Sequence, residues 1–176
     1  IPYYNRLVND SISVEENLME LLVAPEARLE NEVSMYLNAE ISKIVNANEV
    51  FEALSRGYTK YKDILDQSHV SSGPTLVDVL EKLSKMEVVE KRTPINDEGT
   101  KRKASYHISD PLSAFYYRYI FRYASQRKIM DPSFFYEKYI REDFESFYVP
   151  HYFEEICKQY LIRKNRGGEI SPVIEK

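Results

Sequence analysis

Cations are the residues of this 176-residue chain best placed to do chemistry. Lys91, Arg92, Lys101, Arg102 and Lys103 stand against Asp97 and Glu98, five positive charges to two negative, a local balance of +3. Such a cluster neutralises phosphates, each contact adding salt-dependent affinity without reading base sequence. Just upstream, Thr75, Lys82 and Lys85 are spaced so that a single helix would present them to a DNA groove or a partner. Asp78 and Glu81 fall on the same helix. That presenting face is therefore neutral and would meet phosphate with repulsion as well as attraction.

Other chemistries are excluded residue by residue. The five glycines, at 57, 73, 99, 167 and 168, form neither G-x-x-x-x-G-K-[ST] nor G-x-G-x-x-G, so no phosphate-cradling loop is expected. His69, His107 and His151 lack partners at metal-ligand spacing and read as surface or structural residues, with His107 on the outer face of a strand. Ser71 and Ser72 sit beside no Gly-x-Ser-x-Gly elbow and read as turn and cap residues. Glu142, Asp143, Glu145, Glu154 and Glu155 read as a solvated helix face. Cys157, the sole cysteine, excludes an internal disulfide and is expected to be a buried packing residue beside Phe153, Tyr160 and Leu161. No catalytic, cofactor-binding or metal-binding residue is expected in the chain.

The elements that must position the cations are legible from periodicity. Leu76, Val79, Leu80, Leu83 and Met86 recur at spacings of three and four, the apolar face of a helix whose first turn holds Pro74. Val88 to Arg92 favours a strand, a polar loop containing Gly99 turns the chain, and Ala104, Tyr106 and Ile108 alternate on the return. Upstream, Thr59 is expected to cap a short helix KYKDILDQ with Tyr61, Ile64 and Leu65 inward, and Gly57 to close the helix before it. Helix, helix, turn, helix and hairpin over residues 48–109 is the order of a winged helix-turn-helix.

Flanking segments differ in character. Ser13 with Glu16 forms a capping box before a helix with Val14, Leu18, Leu21 and Leu22 as its apolar stripe, stopped at Pro25. A second helix is expected from about Leu29, with Val33, Tyr36, Leu37 and Ile41 inward, towards Asn46; whether it runs on to Gly57 is left open by the pattern. Beyond Pro111, 16 of the 23 Phe and Tyr residues lie between 111 and 165, where glycine is absent. Packed helices near 111–125, 132–146 and 150–164 are expected, with Pro111, Pro132 and Pro150 each in a first turn. The expected fold class is mainly α: helical bundle segments around a winged helix with one short antiparallel β-hairpin. Its divisions are a helical segment 1–46, the winged helix 47–110 and an aromatic-rich helical segment 111–176.

The net charge of −4 hides a gradient: three basic against eight acidic residues in 1–46, ten against eleven in 47–110, eleven against nine in 111–176. None of these is the basic excess of a dedicated nucleic-acid binder. Neither a long apolar run nor a secretory signal occurs, so a cytoplasmic protein without membrane contact is expected. A start at Ile1 and a proline-containing tail suggest a piece of something longer.

The order of several short motifs resembles the C-terminal part of the prokaryotic AAA-type, STAND-like ATPases of the archaeal ATPase family. Ile1-Pro2-Tyr3-Tyr4 is similar to the motif that follows their ATPase core, and Ser13 to Leu22 to their lid. Leu29 with Glu30, Phe51 to Gly57 with Thr59, and Leu80 to Val89 match in turn. Tyr106-x-Ile108-x-Asp110-Pro111 with Phe115 to Tyr119, and Phe153-Glu154-Glu155-Ile156, complete the series. Glu87 departs from the family's usual glycine after the third helix, and Tyr117 from its frequent tryptophan. The resemblance implies a parent with an upstream P-loop core that would hold ATP and Mg, a lid, a winged helix and a nuclease-like last domain whose catalytic residues lie outside this chain. On that basis the chain is expected to be a non-catalytic regulatory module whose partner is its own ATPase domain or another protein. The competing expectation is a winged helix that binds duplex DNA through Thr75, Lys82, Lys85 and the basic loop.

Overall fold

The computed structural model describes residues 2–32, 35, 41, 44–93 and 104–170. Two compact units are present, Ile1–Ser133 and Phe134–Lys176. Among the described residues the chain is mainly helical, with one two-stranded antiparallel sheet.

The first unit opens with a short helix α1 (Pro2–Asn5) and then α2 (Val14–Leu18). The capping box is present in both directions: the Ser13 hydroxyl accepts from the Glu16 N–H, and the Glu16 carboxylate accepts from the Ser13 N–H at 2.8 Å. Those bonds favour the ionised carboxyl and hold its pKa below the ordinary value. α2 does not continue as expected, because Met19–Val23 widens into a π turn. One extra residue in that turn rotates the residues after it, and Leu21 and Val23 are buried there; Val14, ahead of the turn in the first position of α2, is exposed. Asn17 is buried in its place and donates to the carbonyls of Asn9 and Ser13. Of the second expected helix, Val33, Tyr36 and Leu37 lie outside the described residues, and Ile41 is buried.

Asn46 settles the open question of continuity. It adopts a left-handed φ of 67°, which an α-helix cannot pass through, and α3 (Ala47–Ser55) starts afresh behind it. Gly57 closes α3 at a φ of 94°, as the sequence predicts. Thr59, expected as a helix cap, instead continues an extended edge: its carbonyl accepts from the Tyr106 N–H at 2.9 Å, and Lys60 bridges Ser105. Lys60, without a side-chain cap, precedes α4 (Tyr61–Gln67), which buries Ile64. A strand partner outcompeted the cap because backbone pairing also covers the free edge of the hairpin.

α5 (Gly73–Lys85) comes next, capped by Ser72 and carrying Pro74 in its first turn. Leu76, Val79, Leu80 and Leu83 are buried, the face that their spacing predicts. A Cβ at Gly73 would sit 2.9 Å from the Tyr61 oxygen, whose hydroxyl donates to the Gly73 carbonyl at 2.8 Å. Glycine is what lets α4 and α5 approach there. Glu87 then takes a φ of 59° to turn the chain into β1 (Val89–Arg92), which pairs with β2 (Ser105–Ile108) in the register Val89 to Ile108 and Arg92 to Ser105.

Asp110 caps α6 (Pro111–Phe115), which runs into a π turn at Tyr116–Phe121 and is followed by α7 (Ala124–Ile129). Phe115, Tyr117, Tyr119 and Ile120 are buried. The expected helices at 132–146 and 150–164 are one uninterrupted helical run over 132–166, and the boundary between units falls after Ser133, in its first turn. It comprises α8 (Pro132–Tyr136), π turns at Glu137–Arg141 and Phe144–Tyr148, and α9 (Val149–Arg166). Pro150 therefore does not start a separate helix. It is tolerated because its missing N–H falls where the π turn hands over to α geometry, a place where the hydrogen-bond ladder is already displaced.

Candidate partner interface

The five described cap and cation positions are carried by α5 and β1, and most are engaged within the molecule. Thr75 belongs to the cap of α5: its N–H donates to the Ser72 oxygen at 3.4 Å, and the two hydroxyls lie 2.8 Å apart. Lys82 pairs with Asp78 one turn back at 2.7 Å. Arg92 donates to Glu90 at 2.6 Å through Nε. Lys91 is exposed and lies 5.9 Å from the centre of the Tyr106 ring, a phenol that burial pushes above its ordinary pKa and so keeps neutral. Lys85 is exposed in the last turn of α5, where the helix dipole favours a cation. Lys101, Arg102 and Lys103 lie outside the described residues. Exposed pairs such as Asp78 with Lys82 are weak, so they would not bar a phosphate; they do leave the face of α5 without net charge.

Three residues of the 111–129 stretch that the cation pattern does not point to make the longest-range polar contacts among the described residues of the first unit. Tyr117 stacks on Phe51 of α3, ring centres 4.8 Å apart and planes within 9°, and its hydroxyl donates to Asn48 Oδ1 at 2.7 Å. Burial pushes its phenol far above the ordinary value, followed by the influence of Tyr116 and Glu49, so the group remains a donor at any physiological pH. Arg118 donates to the carbonyl of Ser55, the last residue of α3. Arg127 does the same for the other helix: Nε donates to the Val23 carbonyl and Nη2 to the Ala24 carbonyl, each at 2.6 Å. Its Nη1 reaches Glu30 Oε1 at 2.7 Å, and the pair is largely shielded, with side chains 11% and 26% exposed.

Both arginines therefore cap the open C-terminal carbonyls of helices far away in sequence, at the end of each where the dipole is negative. The 111–129 stretch acts as a bolt between the 14–30 segment and α3. Its aromatic density is visible in the sequence, but a lone arginine carries no sign of which carbonyls it will meet about 100 residues upstream.

In α9 the expectation for Cys157 fails. No residue of that helix is buried, and Cys157 is half-exposed beside exposed Phe153, Ile156 and Tyr160. Among the described residues no group of three or more His, Cys, Asp or Glu is arranged to hold a metal ion. Among them, too, no helix is long and apolar enough to cross a membrane.

Comparisons with known proteins add one family and one relative. Residues 116–176 match the DUF234 family, described as archaeal and bacterial proteins of unknown function. Over 173 residues the chain is 27% identical to an uncharacterized protein of Methanocaldococcus jannaschii, a match covering 97% of this chain and 37% of that protein. The chain thus spans little more than a third of that relative's length. No solved structure matches.

Proposed function

We propose that this chain is a non-catalytic regulatory and interaction module of a larger prokaryotic AAA-type ATP-binding protein, in which it relays movement between a nucleotide-binding core and a partner. The observation that carries this reading is the double capping by Arg118 and Arg127, which makes the 111–129 stretch a single mechanical link between the lid-like 14–30 segment and the helix-hairpin unit. Two further features support it: the ordered motifs shared with the AAA-type ATPases, and a relative long enough to contain other domains. In this reading residues 47–110 are a winged helix, with Thr59 and Lys60 as the strand that pairs with β2 beyond the hairpin. ATP and Mg belong to the core of the larger protein.

Hydrogen exchange followed by mass spectrometry tests the relay. Arg127→Met is expected to raise exchange in 14–24 and, through the bolt, in α3 at 47–55. A response confined to 14–24 would remove the mechanical link. Calorimetric titration of MgATP into the chain should give no heat of binding; a Kd below about 10 µM would contradict the reading.

A second reading, a DNA-binding winged helix, is favoured by the exposure of Lys85 and Lys91 beside each other's elements. Anisotropy with labelled duplex DNA at two salt concentrations separates the two. Phosphate contacts must weaken steeply as salt rises, and no binding at low salt removes this reading.

A further inference from the structure

Helix α9 presents an apolar face that nothing among the described residues of its own unit buries. Val149, Phe153, Ile156 and Tyr160 are spaced four, three and four residues apart and are 43%, 60%, 61% and 58% exposed. Cys157 and Leu161 widen that face on one side. At 1.5 Å per residue the helix is about 27 Å long, enough for a full helix-to-helix contact. A contiguous patch of this kind marks a binding surface.

Charge identifies the occupant. Between 142 and 155 the chain carries Glu142, Asp143, Glu145, Glu154 and Glu155 and no Lys or Arg, a charge of −5. Between 156 and 166 it carries Lys158, Arg163, Lys164 and Arg166 and no acid, a charge of +4. Glu169, just past the helix, pairs with Lys164, and Lys158 pairs with Glu155 at 3.6 Å across the junction, which leaves the two halves at −4 and +2. Dipole compensation favours acids early and bases late only within the terminal turns, whereas this segregation extends through the whole run. Laid antiparallel on a copy of itself, the acidic half meets the basic half; laid parallel, like charges meet.

The apolar face has a matching symmetry. A two-fold axis between Ile156 and Cys157 would set Val149 opposite Lys164, Phe153 opposite Tyr160 and Ile156 opposite Cys157. On a helix of 3.6 residues per turn all three pairs straddle the same direction, so one axis serves them all. We propose that α9 is a self-association surface that pairs antiparallel with α9 of a second copy of this chain.

Sedimentation equilibrium at about 100 µM should report a dimer that weakens as NaCl rises from about 0.05 to about 0.5 M. Ile156→Glu, at an exposed position, should weaken it at least tenfold with the far-ultraviolet dichroism unchanged. Orientation is read in a C157A background with V149C and K164C made separately and treated with a short bis-maleimide. A mixture of the two should cross-link far faster than either alone. Cross-linking of each variant with itself would establish a parallel pair and overturn the proposal. A chain that stays monomeric at about 100 µM would overturn it as well, and would assign the face of α9 to a different polypeptide segment.

Discussion

The 111–129 stretch and helix α9 are made of similar material, aromatic rings and arginines on helices without glycine, yet they end in opposite surroundings. In the first, Tyr117 and Tyr119 are almost fully buried, one ring stacked on Phe51, and two arginines are spent on carbonyls of other helices. In the second, Phe153 and Tyr160 are more than half exposed. Composition is therefore a poor guide to burial here. What separates the two is whether the described residues of its own unit offer each of them a surface and unsatisfied carbonyls to meet.

The largest effect that can break this contrast is truncation of one ring from each region. Tyr117→Ala should cost about 3–5 kcal/mol by urea denaturation, from lost burial, the cavity and the orphaned Asn48. Phe153→Ala should change stability by no more than about 0.5 kcal/mol when measured at about 1 µM, where self-association does not contribute. Comparable losses at both sites would mean that α9 is buried within the monomer. An intermediate effect is expected from Arg127→Met, about 2 kcal/mol, because it strands the Val23 and Ala24 carbonyls and leaves Glu30 without its cation. The same substitution at Arg163 in α9 should be nearly silent in the unfolding curve of the monomer.

The smallest contrast lies at the helix ends. Glu87 closes α5 and Gly168 comes after α9, both in the left-handed region at φ of 59° and 69°. Glu87→Gly should raise stability by about 1 kcal/mol, and Gly168→Ala should lower it by about as much or less, since the end of α9 frays more easily. Thermal unfolding of the two variants checks the signs.

Legibility tracked the range of the interactions. The capping box at Ser13 and the Gly57 closure rest on contacts within a few residues, and the buried stripe of α5 and the hairpin follow a local periodicity, so each is readable from spacing alone. The break at Asn46 was not, because left-handed Asn is tolerated rather than signalled. Nor were the π turns, which shift a stripe by one residue, as at Val23, which the expected stripe omits and which is buried. Thr59 has the chemistry of a cap and was taken by a strand 47 residues away. Of the candidate interface, the spacing of Thr75, Lys82 and Lys85 on one helix is readable, whereas the pairing of Lys82 with Asp78 and the cap role of Thr75 lower their availability.

By itself the amino-acid sequence determined a mainly helical chain with one hairpin and the residues that line α5. Local backbone preferences and periodic burial suffice for those. Only the tertiary structure decided that Arg118 and Arg127 cap two remote helices, that Tyr117 joins its own stretch to α3, and that α9 keeps its apolar face exposed. Each of these depends on which carbonyl or ring arrives from far along the chain, and a side chain's own type does not record its partner.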